Sequence, residues 1–335
     1  MHPVPIPEGE QRLDDNAFLE GLNVLLEKHE LEGYRDLEER YPTIHVMGLP
    51  RSGTTLALQL LVAHTDVAYI DHVAAAFWRA PATGLRLSES LRRHARRPSS
   101  YQSDYGRTAD LAEPHEFSYF WARLLGTAFG LESLAEPADR SSVDWLFFKR
   151  VLTNMCEVVQ GPIVFKSFHA IWRLRELCQT LPRTVVVVVR RDVLAVAQSL
   201  LEMRHQLYGS REAWASVKPR EYSWLKDEDY ATQIAGQIWY VNEAIADGIR
   251  HLRPEALVEV TYDDVCRDPA GFVAKVVDVV NRQGDNLRSL DAPRPFQPSS
   301  AMQERDPEVV RSLRDALARF PQIADAVGDA SGTGR

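Results

Sequence analysis

An α/β fold around a central, mainly parallel sheet is what this 335-residue sequence predicts, and three observations carry that reading. First, the apolar run Ile44–Leu49 enters a loop bounded by Gly48 and Gly53, after which Leu56, Leu58, Leu60 and Leu61 continue with helical character. Strand, tight loop and helix form the context in which a phosphate-binding loop acts. Second, Pro162–Phe165 and Thr184–Val189 are short apolar runs joined by a helical stretch over about 170–179, which makes a βαβ unit. The later run is β-branched and uniformly apolar, as expected of a parallel strand buried on both faces. Third, these strands end on polar residues, Lys166–His169 and Arg190–Asp192. In open α/β sheets ligands bind beyond the carboxyl ends of the strands, so Arg51, Lys166, His169 and Arg191 are expected along one edge.

Taken in order, residues 1–12 are Pro-rich and polar and are expected to be poorly ordered. A helix follows over 14–30, with Phe18, Leu19, Leu22, Leu25 and Leu26 on one face and Asp14 or Asp15 as cap. The loop helix runs to about His64, and Val67–Ile70 reads as a second short strand ending on Asp71 and His72. Residues 81–106 read as irregular and basic, with Arg86, Arg92, Arg93, His94, Arg96 and Arg97 on a solvated helix face and loop; the sharper alternative is a lid that attracts an anion. Pro114 fits a first helical turn, with Phe117, Phe120, Trp121 and Leu124 as the buried stripe beyond it. Glu113, His115 and Glu116 at its start are candidates for substrate contact.

Helices are expected over 141–160, 193–201 and 230–252, a loop over 214–229, and a strand over 256–261. Asp268 and Pro269 start the helix 271–280, and a last short helix spans about 307–320. With neither repeat nor linker, the chain reads as one domain over 1–335, with its core at about 44–282, the helix at 14–30 before it and an extension over 285–335.

Composition narrows the function. The net charge of −8 gives no general affinity for nucleic acid. Six Lys stand against 33 Arg, which singles out each lysine for inspection. Cys156, Cys178 and Cys266 lie far apart with no metal-ligand spacing and fit buried thiols of a reducing cytosol. The polar, acidic N-terminus shows no signal peptide, and the longest apolar run, Thr184–Val189, is far too short to span a membrane. A soluble, cytoplasmic protein is expected.

The spacing Gly48-x4-Gly53-x-Thr55 matches a Walker A loop except that Thr54 stands where the lysine would be. The cation is instead Arg51, inside the loop, and Thr54 and Thr55 follow the second glycine. Such a loop suits an anion less charged than a triphosphate, with no required metal.

Three separated stretches resemble the sulfotransferase superfamily that uses 3′-phosphoadenosine 5′-phosphosulfate. Leu49-Pro50-Arg51-Ser52-Gly53-Thr54-Thr55 is similar to its 5′-phosphosulfate loop, and Arg191 to Ser199 to its 3′-phosphate element, in which an Arg and a Ser eight residues later hold that phosphate. Tyr262-Asp263-Asp264-Val265 with Asp268-Pro269 is similar to a Tyr-Glu-Asp-Leu…Asp-Pro stretch of bacterial members. The resemblance implies a P-loop-like three-layer α/β/α fold with large helical insertions. It also implies transfer of a sulfuryl group to a hydroxyl or amine of a small-molecule, lipid or glycan acceptor, leaving adenosine 3′,5′-bisphosphate. Pro50, Arg51, Ser52, Gly53, Thr54, Thr55, Arg191, Ser199 and Tyr262 would then bind the donor, without a metal. No nucleic-acid partner and no membrane span are expected, and a homodimer is admitted.

In-line displacement at sulfur needs a cation near the bridging oxygen of the leaving group and a base near the acceptor. Lys166, at a strand end where the family has a lysine, is the choice for the cation. The base stays open. Lys166-Ser167-Phe168-His169 matches neither the Lys-x-His nor the Lys-Ser/Thr-Pro-x-His pattern of the family, while Asp71-His72 stands where tyrosylprotein-type members carry a carboxylate. His72 and His169 rank equally, Asp71 could orient His72, and Glu116 follows. Two other classes compete: a metal-dependent P-loop kinase or nucleotide triphosphatase, and a nucleotide-binding protein without catalysis.

Overall fold

Among the described residues (10–92, 100–103, 108, 110–127, 143–297 and 306–332), the computed structural model forms one sheet of five strands. These are β1 (Thr43–Gly48), β2 (Ala68–Tyr69), β3 (Ile163–Lys166), β4 (Val185–Arg190) and β5 (Leu257–Thr261). Every pairing is parallel and the order is β2-β3-β1-β4-β5, with His45 of β1 opposite Phe165 on one side and Val186 on the other. The polyvaline strand explains the layering. Val186 and Val188 enter one apolar cluster, Val185, Val187 and Val189 the other, because successive strand side chains point to opposite faces.

Helices occupy both faces. They are α1 (Glu10–Gly33), α2 (Thr54–His64), α3 (His72–Ala75), α4 (Pro81–Arg92), α5 (Ser118–Leu125), α6 (Trp145–Val159), α7 (Leu174–Thr180), α8 (Val193–Tyr208), α9 (Tyr222–Leu225), α10 (Tyr230–Ile249), α11 (Tyr262–Arg267), α12 (Pro269–Arg282) and α13 (Pro307–Gly332). Leu58, Leu61 and Val62 of α2 pack with Val276 and Val280 of α12 on one face. Leu200 of α8, Ile234 and Ile238 of α10, and Leu313 and Phe320 of α13 fill the other. A third cluster joins Phe120 and Trp121 of α5 to Phe148 and Leu152 of α6 and to Phe165 of β3.

The α/β class and the parallel sheet agree with the sequence; four local expectations do not. The face assigned to α1 is only partly covered: Leu19, Leu22 and Leu26 are half-buried, but Phe18 is 68% and Leu25 77% exposed. The helix also docks through polar anchors: Asn23 donates to Ala76 O and accepts from Arg79 N, and Glu30 accepts from Ala82 N and from Thr83. Within the stretch read as irregular and basic, 81–92 form α4, whose exposed Arg86 fits the solvated helix face expected there but whose Leu85 and Ser88 are buried. Pro114 is not helical; it bridges Asp71, and α5 starts at Ser118 after Phe117 in a left-handed conformation. The 214–229 stretch contains the short helix α9. Arg93, His94, Arg96 and Arg97, residues 1–9 and the start of the 141–160 helix lie outside the described residues.

Candidate active site

The loop after β1 is held tightly from below. Ser52 N–H donates to Leu49 O at 3.0 Å, and Arg51 and Gly53 take positive φ values of 70° and 97°. A Cβ on Gly48 would overlap Val189 O and Ser52 Oγ, and one on Gly53 would overlap the Tyr262 ring, so both positions require glycine. Among the described residues the buried Ser52 Oγ has no hydrogen-bond partner. Helices α3, α6, α8, α10, α11 and α12 each begin on an Asp or Thr whose side chain accepts a first-turn N–H. Helix α2 begins on Gly53 with no side-chain cap. Its first amides and the orphaned Ser52 hydroxyl are donors without an internal acceptor, which is the chemistry of an oxyanion cradle.

A second cationic group joins this loop from β4 and α8. Arg51 Nε donates to Ser199 Oγ at 3.0 Å across 148 residues of sequence. Arg191 donates to Arg51 O at 2.9 Å, and its guanidinium stacks 4.4 Å from the centre of the Tyr262 ring. Tyr262, at the start of α11, thus lies beneath both Gly53 and Arg191. Asp192 is turned away into the cap of α8, accepting from Ala195 N. Pro50, Thr54 and Thr55 complete the turn, with Thr54 buried.

On the other side of β1, the end of β3 presents Lys166, 4% exposed. Its Nζ donates to Thr55 Oγ1 at 2.7 Å and forms an ion pair with Glu116. His169 lies buried beyond it. Its Nδ1 is 2.6 Å from Thr127 Oγ1, its Nε2 has no partner among the described residues, and burial pushes its pKa down to about 4. The Thr108 hydroxyl donates to Pro114 O, so it accepts from Nε2–H of His72 at 2.9 Å. That places a proton on Nε2 of His72, and burial lowers its pKa against the opposing pull of Asp71. The His72 ring meets His115 edge-on at 4.7 Å, and burial with the neighbouring His72 pushes His115 down to about 4.

Asp71 does not orient His72 through its carboxylate. One oxygen accepts from Ala74 N at 2.8 Å; the other meets Ser88 Oγ at 2.5 Å and Arg92 Nε at 2.9 Å. The group ties α3 to α4. Thus Lys166, Glu116 and Thr55 come together, the rings of His72 and His169 are engaged by Thr108 and Thr127, and Asp71 serves the scaffold. Sequence reading missed Thr108 and Thr127, because a lone threonine in a loop carries no periodic signal. Glu113, a candidate contact, is buried and accepts from Ser100 and Gln59. Cavities of about 560 Å³, lined by Asp66, Gly161 and Arg288, and about 670 Å³, lined by His64, Tyr101 and Asp291, lie near the amino ends of β2 and β3 and the far end of α2, away from this cluster. Among the described residues no group of three or more His, Cys, Asp or Glu could hold a metal ion, and no described helix is long and apolar enough to cross a membrane.

Comparison with known proteins follows the same lines. A family model described as "Sulfotransferase family" matches residues 42–284. The fold is similar to that of sulfotransferase STF1 from Mycobacterium tuberculosis H37Rv, with 20% identity over 91% of this chain and 85% of that one and a TM-score of 0.53. It is also similar to sulfotransferase STF9 from Mycobacterium avium, with 16% identity over 95% of this chain and 79% of that one and a TM-score of 0.50. None of the curated proteins compared with the chain matches it.

Proposed function

Since the chain belongs to the sulfotransferase family, we propose that it transfers the sulfuryl group of 3′-phosphoadenosine 5′-phosphosulfate to a hydroxyl or amine of a small-molecule, lipid or glycan acceptor. The observation that carries this reading is the hydrogen-bonded continuity of two anion-binding groups on one sheet edge. Arg51 links the loop to Ser199, and Arg191 links back to Arg51. A ligand with a 5′-phosphosulfate and a 3′-phosphate needs two such groups; a simple phosphate needs one. The uncapped amides of α2, the Ser52 hydroxyl and Thr55 suit the 5′ end, and Arg191, Arg51 and Ser199 suit the 3′ end. Arg presents a fork of donors to such an oxyanion, and Tyr262 keeps one fork in place by stacking.

Lys166 supplies the fixed positive charge where the leaving oxygen gains negative charge, and its burial strengthens that interaction. The test begins with binding. Adenosine 3′,5′-bisphosphate raises the melting temperature without Mg²⁺, by an amount that grows with its concentration. Labelled donor then passes its sulfuryl group to at least one member of a panel of phenolic, lipid, sugar and peptide acceptors. A melt that shifts only with Mg-ATP would reject the reading in favour of a nucleotide triphosphatase. Tight donor binding with no transfer to any acceptor would reject it in favour of a non-catalytic binder.

A further inference from the structure

Lys166 is buried against the Phe168 ring with two hydrogen-bonding partners of different kinds. Thr55 belongs to the first turn of α2, and Glu116 belongs to the segment that leads into α5 and is 28% exposed. A buried ammonium needs a counter-ion, and in the protein by itself Glu116 is that ion. An anion seated in the loop competes for the same Nζ. One ammonium cannot fully compensate two anions, and the repulsion between them favours release of the one that can reach solvent. That one is Glu116. His115, beside it, has its pKa pushed down to about 4 by burial and offers no replacement charge.

We propose that donor binding exchanges the counter-ion of Lys166, and that the Glu116 carboxylate set free in this way is the general base. The proposal rests on the donor assignment above. Lys166 carries three N–H donors, so it keeps Thr55 while the position held by Glu116 passes to the donor. In the transfer step the acceptor O–H proton goes to the Glu116 carboxylate and the acceptor oxygen forms its bond to sulfur. The bond from sulfur to the bridging oxygen of the 5′-phosphate breaks, and the electron pair stays on that phosphate oxygen, where Lys166 meets the charge. The base is therefore withheld until the donor is in place, and binding is ordered with the donor first.

The experiment compares wild type, Glu116→Gln and Glu116→Asp by calorimetric titration with the donor and by single-turnover transfer. Glu116→Gln removes the competing charge, so donor affinity rises about tenfold, as when an occluded site becomes fully competent. Its transfer rate falls about 10²-fold or more, the size of a lost general base. Glu116→Asp keeps a carboxylate, returns affinity towards wild type and restores part of the rate. Weaker donor binding in Glu116→Gln would mean that Glu116 only props Lys166 in place, and that overturns the proposal. Tighter binding with an unchanged rate would leave a counter-ion that is not the base, and overturns it equally. Failure of the donor assignment shows elsewhere: wild type would then bind no adenosine 3′,5′-bisphosphate and transfer no sulfuryl group, and the inference would fall with it.

Discussion

The two sides of β1 are built from different kinds of polar contact. On the β4 side, Arg51, Arg191, Ser199 and Tyr262 form a network in which the cations lean on a backbone carbonyl, a hydroxyl and an aromatic face. On the β3 side, Lys166 is paired with Glu116, Arg92 with Asp71, and the imidazoles are kept neutral by burial. In the proposed reaction the first side is the receptor for the donor's anions, and the second is the paired polar cluster beside which transfer takes place.

Acid should separate the two sides most strongly. His115 and His169 on the β3 side have pKa values near 4, and the core His45 near 3, against 6.5 when unfolded. Between pH 6.5 and 4 the unfolded chain takes up protons that the native state refuses. Stability is therefore fully present above 6.5 and falls as pH drops through that window, by several kcal/mol in sum on the order expected for such shifts. Urea midpoints measured from pH 7 to pH 4.5 test this, and His169→Gln should flatten the slope. Next, Asp71→Ala breaks a buried ion pair and a helix cap and should cost about 3–5 kcal/mol of stability, read from denaturant midpoints, with adenosine 3′,5′-bisphosphate affinity little changed. A comparable loss of ligand affinity would erase the division between the two sides.

Lys166→Ala should lower the transfer rate about 10²–10³-fold, the effect of one lost electrostatic donor at a reacting centre, with a much smaller change in donor affinity. Equal losses in both would move Lys166 to the receptor side. Arg191→Ala should weaken adenosine 3′,5′-bisphosphate binding by about 1.5–3 kcal/mol, the range for a hydrogen bond to a charged group, measured by calorimetry. Tyr262→Phe keeps the ring under Gly53 and Arg191 and should alter that affinity by less than about 1 kcal/mol. A larger loss would assign its hydroxyl to the ligand.

The receptor side was largely legible in the sequence, because its parts are local: a β-branched strand, a glycine-bounded turn, an Arg and a Ser on one helix. The contact from Arg51 to Ser199 was not, since nothing in either segment encodes a partner 148 residues away. The β3 side was legible only as an inventory. Asp71 stood at a plausible spacing for a base, yet its carboxylate is consumed by Ser88 and Arg92 of α4, the helix hidden by a stretch that reads as irregular and basic. The contact of Glu116 with Lys166 was not legible either, because the two residues lie 50 positions apart and neither segment encodes the other. The outward turn of Phe18 and Leu25 has the same origin: the apolar spacing was read correctly, but Asn23 and Glu30 form the better-matched contacts.

The strand order β2-β3-β1-β4-β5 carries one more consequence. His72, the 113–116 segment and Thr127 all come from the single excursion between β2 and β3, while Arg51, Arg191 and Tyr262 come from the ends of β1, β4 and β5. His72, Glu116 and Thr127 are thus encoded in one continuous stretch of chain, whereas Arg51, Arg191 and Tyr262 are drawn together from three separate strand ends.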